Sequence, residues 1–204
     1  MTSVSKICVE SAILYKINYK KYNIEVSHIV KIVLLRIEKY SFAKSIVLTI
    51  LVSIISFFMF STTILSPLGD LYALADDTYL LMLEFVDSKE LSSKKEKVQK
   101  LSARIVHDGI NPILTQTKIE LDEYFAGKRK NFSLPLSPSG TDFQERAWKA
   151  LEQIPYGETR SYLEEATMIG NPKAVRAIGG ANHHNPIVIV IPCHRVIGKS
   201  GKLI

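Results

Sequence analysis

The pattern of apolar and polar positions predicts three consecutive strands after residue 58. FSTTIL, DLYALADD and TYLLMLEFVD are rich in strand-forming residues, and turn residues separate them. SPLG supplies the first turn, and Asp76-Asp77 supplies the second. The lysine-rich SKELSSKKEKVQK that follows is interpreted as a solvated loop or helix face with no function of its own. The pattern therefore predicts a hairpin meander followed by a polar segment.

Helical spacing becomes more frequent further along the chain. NPILTQTKIELDEYFAGKRKNF partly follows the helical period, and Gly127 beside the basic KRK predicts a C-terminal stop. The prolines and glycine of residues 133–140, SLPLSPSG, indicate an extended linker. Thr141 then caps a predicted helix over DFQERAWKALEQI. The apolar residues expected on its buried face are Phe143, Ala147, Trp148 and Leu151.

The stretch ETRSYLEEATMIGNPKAVRAIGGAN predicts a helix-turn-helix. Gly170 ends the first helix, and Pro172 fits the first turn of the second. Small residues surround Arg176 on the second helix and allow its backbone to approach a surface closely. An ordinary αα-hairpin with alanines packed on a core explains this segment equally well.

Residues 1–58 differ from the rest because they contain neither glycine nor proline. The apolar run Ile46–Phe60 has 15 residues, and a bilayer span needs about 20. Basic residues precede the run and aspartates follow it, so a single-pass anchor would export everything after it. We expect Met59 to be the natural start and residues 1–58 to be an unassigned extension. A genuine membrane anchor is the alternative, but membrane association is not expected.

Composition and cysteine content narrow the class of protein. A chain of 204 residues with 47% hydrophobic residues is long enough for one full domain or two small ones. The formal charge of +6 favours polyanionic partners without deciding the fold. Cys8 and Cys193 show neither metal-ligand spacing nor a disulfide-rich pattern. A reducing compartment and a free thiol at Cys193 are therefore expected.

The segment NPIVIVIPCHRVIG presents a cysteine next to a histidine. A strand over Ile187–Ile191 is predicted to lead directly into Pro192 and Cys193. A nearby base or helix end can convert such a thiol into the nucleophilic thiolate. Adjacent side chains diverge, so His194 is expected to act through a bridging water. A buried structural cysteine is the alternative.

Together these motifs resemble the O6-alkylguanine-DNA alkyltransferases, also called methylated-DNA–protein-cysteine methyltransferases. The signature PCHRV occupies 192–196, and IPYGETRSY, GNPKAVRAIG and the Asn-Pro at 185–186 precede it. The resemblance implies an α/β (α+β) fold. A small ribonuclease-H-like α/β domain over 59–132 would be joined by the linker 133–140 to a second domain over 141–204. That second domain would be a helix-turn-helix, winged-helix-like alkyltransferase domain.

The resemblance also implies a chemistry and its residues. The protein would transfer the alkyl group of O6-alkylguanine, and of O4-alkylthymine, from DNA to Cys193 in a single turnover. By this resemblance His194 draws off the thiol proton through a water, and Asn185 orders the site. No metal or organic cofactor is required.

Double-stranded DNA is the implied partner, bound through the minor groove with the damaged base flipped out. Tyr162 would press on the DNA backbone, and Arg176 would fill the vacated stack. Asn171 and Lys199 complete the implied DNA-binding set. No obligate protein partner is implied, and the expected location is cytoplasmic.

The family pattern normally continues after GKSGKL with a loop and a helix that carries a glutamate. The chain is therefore expected to be C-terminally incomplete and impaired in transfer. Two alternatives remain at this point. One is a DNA-binding module that recognises alkylated guanine without repairing it, and the other is a membrane-tethered protein of unrelated role.

Overall fold

A four-stranded sheet with the order β3-β2-β1-β4 lies in the first half of the computed structural model, which describes residues 58–102, 104–198 and 201. Its strands are β1 (Phe58–Ile64), β2 (Leu71–Ala75), β3 (Leu80–Phe85) and β4 (Ile105–Asp108). The antiparallel pairing of β1 with β2 and of β2 with β3 confirms the predicted meander. Strand β4 pairs parallel to β1. Strand β4 was not predicted, because its four residues show no apolar alternation that would distinguish them from a loop.

Two helices cover the two faces of this sheet. Helix α1 (Leu91–Ser102) contributes Val98 to one apolar cluster, and helix α2 (Pro112–Phe125) contributes Leu114 to another. Alternate residues of β2 divide between these clusters, as expected for a pleated strand. Asn111 caps α2 by accepting from the backbone N–H of Leu114 at 2.9 Å. Gly127 has φ +71°, which confirms the predicted stop just after α2.

The lysine-rich segment is helix α1, and its interpretation as a purely solvated face is wrong at one position. The Lys94 side chain is only 12% exposed and forms an ion pair with Glu84 of β3. Lys94 lies four residues before Val98, the buried residue of α1, so the two share a helix face.

Three helices form the second half. They are α3 (Asp142–Leu151), α4 (Tyr162–Met168) and α5 (Val175–His183). Thr141 caps α3 in a capping box with Gln144, as the sequence predicts for its start. Trp148 of α3 is fully buried and donates from its indole nitrogen to the Ala181 carbonyl of α5 at 2.9 Å. These contacts confirm the helix-turn-helix and attach it to α3.

The segment before α3 passes very close to Trp148. A Cβ atom added to Gly140 would lie 2.6 Å from two carbons of the Trp148 ring. The glycine at the end of the proline-rich stretch is therefore required by a close approach of backbone to an aromatic ring.

The free edge of β3 holds two segments of the second half. Leu80 donates from its backbone N–H to the Pro135 carbonyl at 2.9 Å and accepts from Ser137 at 3.0 Å. Leu83 donates to the Pro186 carbonyl at 2.9 Å and accepts from Val188 at 2.9 Å. One apolar cluster runs through both halves and contains Leu83, Trp148 and Ile187. The domain limits at 132 and 141 stay predictions.

The predicted strand over Ile187–Ile191 is wrong. Ile187 makes a single bridge to Leu83, and the chain then closes on itself, since Ile191 donates to the Ile187 carbonyl at 3.0 Å. Ile189 takes a left-handed φ of +72°, which no regular strand contains. Leu83 of β3 hydrogen-bonds with Pro186 and Val188, on either side of Ile187, whereas the N–H groups of Val190 and Ile191 donate to carbonyls within the loop.

The predicted start of the second helix of the helix-turn-helix is also wrong. Helix α5 begins at Val175, three residues after Pro172. Ala174 donates to the Asn171 carbonyl at 2.9 Å, which closes a turn with Asn first and Pro second. Asn and Pro favour those two turn positions, so the proline stabilises the turn and not the helix.

The N-terminal extension lies almost wholly outside the described residues. Of the apolar run Ile46–Phe60, only Phe58–Phe60 are described, and they belong to β1. Among the described ranges, no helix combines the length and apolar character that crossing a membrane demands.

Candidate active site

Cys193 opens a short 3-10 helix, Cys193–Arg195, and is a free, partly buried thiol. Arg195 fixes this helix by donating from its guanidinium to the Ile154 carbonyl at 2.6 Å. The chain continues into strand β6 (Val196–Ile197), which pairs parallel to β5 (Arg160–Ser161). The backbone that carries the thiol is therefore anchored to the turn after α3 and to the start of α4.

Asn185 lies beside this thiol and closes the loop that leads to it. Its side chain is buried, with the residue 1% exposed. The amide nitrogen donates to the Ile191 carbonyl at 2.8 Å, and the amide oxygen accepts from the Ile187 N–H at 3.0 Å. The Asn185 side chain also lies close enough to Cys193 to lower the pKa of the thiol. The structure thus brings together the two residues predicted to react and to order the site.

The surroundings of Cys193 favour the protonated thiol. Burial raises its pKa, and this effect exceeds the lowering caused by the Asn185 hydrogen bond and the Lys94 charge. The Glu84 carboxylate raises it further. Reaction near neutral pH therefore requires a base that removes the proton.

His194 is the neighbouring candidate base. Desolvation of the imidazole, followed by the charge of Arg195, lowers its pKa, although the residue as a whole is exposed. The imidazole is therefore neutral at pH 7 and has a nitrogen lone pair that can accept a proton. A protonated thiol next to a neutral imidazole is the combination that general-base activation needs.

The remaining predicted site residues lie on the helix-turn-helix. Tyr162 begins α4 and packs half-buried against the same apolar cluster as Cys193. Asn171 and Arg176 are exposed, in the turn and in the first turn of α5. A Cβ atom added to Gly179 of α5 would lie 3.9 Å from the Tyr162 ring, an ordinary contact distance, so α5 runs beside that ring. Lys199 lies outside the described residues.

Two further residues at this site were missed by sequence reasoning. Lys94 donates from Nζ to the backbone carbonyl of Asn185 at 2.7 Å and pairs with Glu84. The available signal was the spacing of Leu91, Lys94 and Val98, which places the lysine on the apolar face of α1.

The described residues contain no evident set of metal ligands. Within 58–102, 104–198 and 201, no three or more His, Cys, Asp or Glu side chains gather where they could hold an ion.

Two family models match successive parts of this chain. The ribonuclease-like domain of 6-O-methylguanine DNA methyltransferase matches residues 59–138, and the DNA binding domain of the same family matches residues 142–204. The constitutive methylated-DNA–protein-cysteine methyltransferase of Bacillus subtilis is 47% identical over 142 residues, which are 70% of this chain and 82% of that protein. A methyltransferase of the same name from Methanosarcina acetivorans is 43% identical over 138 residues, 68% of this chain and 83% of its own.

Solved structures agree with this assignment. The crystal structure of Mycobacterium tuberculosis O6-methylguanine methyltransferase has a TM-score of 0.62 and 43% identity, and covers 72% of this chain and 82% of its own. A structure of the M. tuberculosis protein in complex with DNA has a TM-score of 0.60 and 41% identity, with 71% and 81% covered. The α+β fold expected from the motifs is confirmed. Both halves of the described chain and the PCHRV segment place this chain in the 6-O-methylguanine DNA methyltransferase family, whose members are methylated-DNA–protein-cysteine methyltransferases.

Proposed function

We propose that this protein repairs O6-alkylguanine in DNA by moving the alkyl group onto Sγ of Cys193. The sulfur–carbon bond forms as the bond between carbon and the guanine O6 breaks. The thiol proton passes through the general base, His194, to the departing guanine, so charge and atoms balance. A thioether is a stable product, so each molecule reacts once. The observation that carries this proposal is the free Cys193 thiol near the buried Asn185 side chain in a chain of this family.

The proton path follows from the opposed character of the two neighbouring groups. Burial keeps Cys193 protonated, and desolvation keeps His194 neutral. Since the two side chains leave adjacent positions of a 3-10 helix, one water molecule between them is the proposed carrier. Asn185 then holds the sulfur in place as the negative charge develops.

Residues 142–204, matched by the family's DNA binding domain, supply the proposed DNA contacts. The exposed cation of Arg176 lies in the first turn of α5, close in sequence to the turn that contains Asn171. We infer minor-groove binding with the damaged base flipped out, Arg176 filling the gap and Tyr162 pressing on the backbone. Extruding a base costs a few kcal/mol, and an inserted side chain with phosphate contacts offsets such a cost. Lys199 remains a proposed contact from outside the described residues.

The transfer test uses a duplex with a labelled methyl group on one O6-methylguanine. Label is expected on the protein in a one-to-one ratio, and Cys193→Ser is expected to bind the duplex without taking label. Binding that retains all label on the DNA with wild-type protein would instead support a recognition module without repair activity. Label on the Cys193→Ser protein would contradict the assignment of the acceptor.

A further inference from the structure

The ammonium group of Lys94 links the sheet to the active-site loop. Nζ donates to the backbone carbonyl of Asn185 at 2.7 Å and pairs with the Glu84 carboxylate. The two side chains are 12% and 5% exposed, so this ion pair lies almost entirely out of water. Buried ion pairs cost desolvation and contribute little net stability against apolar residues of similar size. A role beyond stability is therefore worth testing.

Strand β3 also holds this loop, through residues that directly follow Asn185. Leu83 donates to Pro186 and accepts from Val188, both at 2.9 Å, so two backbone hydrogen bonds follow the carbonyl that Lys94 holds. Glu84 is the next residue of β3 and receives the Lys94 ammonium. The backbone that carries the Asn185 amide is thus fixed from the first half of the chain at three adjacent points.

The two charges of this pair have opposite effects on the pKa of the Cys193 thiol. The Lys94 cation lowers the pKa of Cys193, and the Glu84 anion raises it. His194 and Arg195, the other two residues of the 3-10 helix that Cys193 opens, also carry titratable or charged side chains. The Lys94–Glu84 pair therefore acts on this site in two ways. Lys94 holds the Asn185 backbone by a hydrogen bond, and the charges of both residues shift the pKa of the Cys193 thiol.

We propose that Lys94 is a positioning residue of the Cys193 site, which holds the Asn185 backbone and places a positive charge beside the sulfur as it becomes a thiolate. This inference rests on the proposed function, because that function is what requires a thiolate at Cys193. It gives helix α1, which packs on the sheet, a role in a reaction whose proposed acceptor, Cys193, lies in the second half of the described chain.

The test measures the rate of iodoacetamide reaction at Cys193 against pH, in the full chain without DNA. Lys94→Met is expected to slow alkylation at pH 7 about three- to tenfold and to move the midpoint of the profile to higher pH. Glu84→Gln is expected to speed alkylation and move the midpoint to lower pH. Lys97→Met, at an exposed position of the same helix, is the matched control and is expected to leave the profile unchanged.

Opposite shifts separate the proposed role from a merely structural one. General loosening of the loop would move both variants in the same direction, and that result, or no movement in either, would overturn the inference. If Lys94→Met fails to fold, Glu84→Gln decides alone, because a slower or unchanged reaction contradicts the inference. Methyl transfer from DNA is measured separately. A wild-type protein that reacts with iodoacetamide as expected but takes no methyl group would refute the proposed function and leave the positioning role standing.

Discussion

The Asn185 side-chain amide donates a hydrogen bond of 2.8 Å to the backbone carbonyl of Ile191, two residues before Cys193. This bond closes a loop in which Ile189 takes φ +72°. A β-branched residue is strained in that region, so the loop persists because surrounding contacts hold it. Asn185 is therefore part of the scaffold of the site, and it also lowers the pKa of the Cys193 thiol.

Replacing Asn185 by alanine is expected to lower the free energy of unfolding by about 2–4 kcal/mol. The change leaves the buried Ile187 N–H without its partner, which costs about 1–3 kcal/mol. It also removes one of the two hydrogen bonds of the Ile191 carbonyl, which still accepts from the Cys193 N–H. Urea unfolding followed by circular dichroism measures this difference. Asn131→Ala, at an exposed position, is the control and is expected to change stability by less than about 0.5 kcal/mol. Equal stability of the two variants would contradict the conclusion that the Asn185 side chain stabilises this loop.

Glu165 and Asn182 form a second buried pair, between α4 and α5. Asn182 donates from its amide nitrogen to one carboxyl oxygen of Glu165 at 2.7 Å. The other carboxyl oxygen and the Asn182 amide oxygen have no hydrogen-bond partner among the described residues. Burial raises the pKa of Glu165 to about 7, against 4.5 for a free glutamate. A protonated carboxyl group can donate a hydrogen bond where a carboxylate cannot.

The free energy of unfolding is therefore expected to fall as the pH rises from about 4.5 to about 7. The unfolded chain releases the Glu165 proton near the lower value, and the folded protein keeps it until the higher one. The full difference corresponds to about 3 kcal/mol. Glu165→Gln, which stays neutral and can both donate and accept, is expected to remove this contribution and to be more stable than wild type at pH 8. Parallel pH profiles for the two proteins in thermal unfolding would contradict the assignment.

Arg176→Ala is expected to weaken methyl transfer from duplex DNA much more than reaction with the free base O6-methylguanine. The exposed guanidinium at the start of α5 has no stack to fill when the substrate is a free base. Rate constants on both substrates test this, with Arg146→Ala, an exposed arginine of α3, as control. Equal losses on both substrates would count against an intercalating role.

Gly140→Ala is expected to destabilise the fold by about 1–3 kcal/mol through overpacking. The new methyl group would lie 2.6 Å from carbons of the fully buried Trp148 ring, which cannot easily move. Gly180→Ala is a matched control, because a Cβ there meets nothing within 4 Å and alanine favours a helix. The melting temperatures of both variants measure the difference. A Gly140→Ala protein as stable as wild type would show that the approach to Trp148 is looser than described.

The sequence predicted the elements whose signals are local. Strand propensity with turn residues located β1 to β3, and Thr141 located the start of α3. The PCHRV motif and the Asn-Pro at 185–186 pointed to residues that the structure places in contact.

The errors arose where distant contacts override local preference. The β-branched residues Ile187–Ile191 favour a strand, but β3 pairs with Ile187 alone and Asn185 closes the rest into a loop. Lys94 looked solvated because its neighbours in sequence are polar, whereas its partners, Glu84 and the Asn185 carbonyl, are 10 and 91 residues away. Such pairings depend on how the sheet and the loop meet, which local composition does not record.

Mass spectrometry of the protein after incubation with a duplex that contains O6-methylguanine tests the central claim most directly. The account predicts one added methyl group per molecule, located on the peptide that contains Cys193, with no further addition when the duplex is in excess. It also predicts unmodified guanine in the recovered DNA. An unchanged mass at Cys193 beside repaired DNA, or repair of many lesions by one protein molecule, would contradict it.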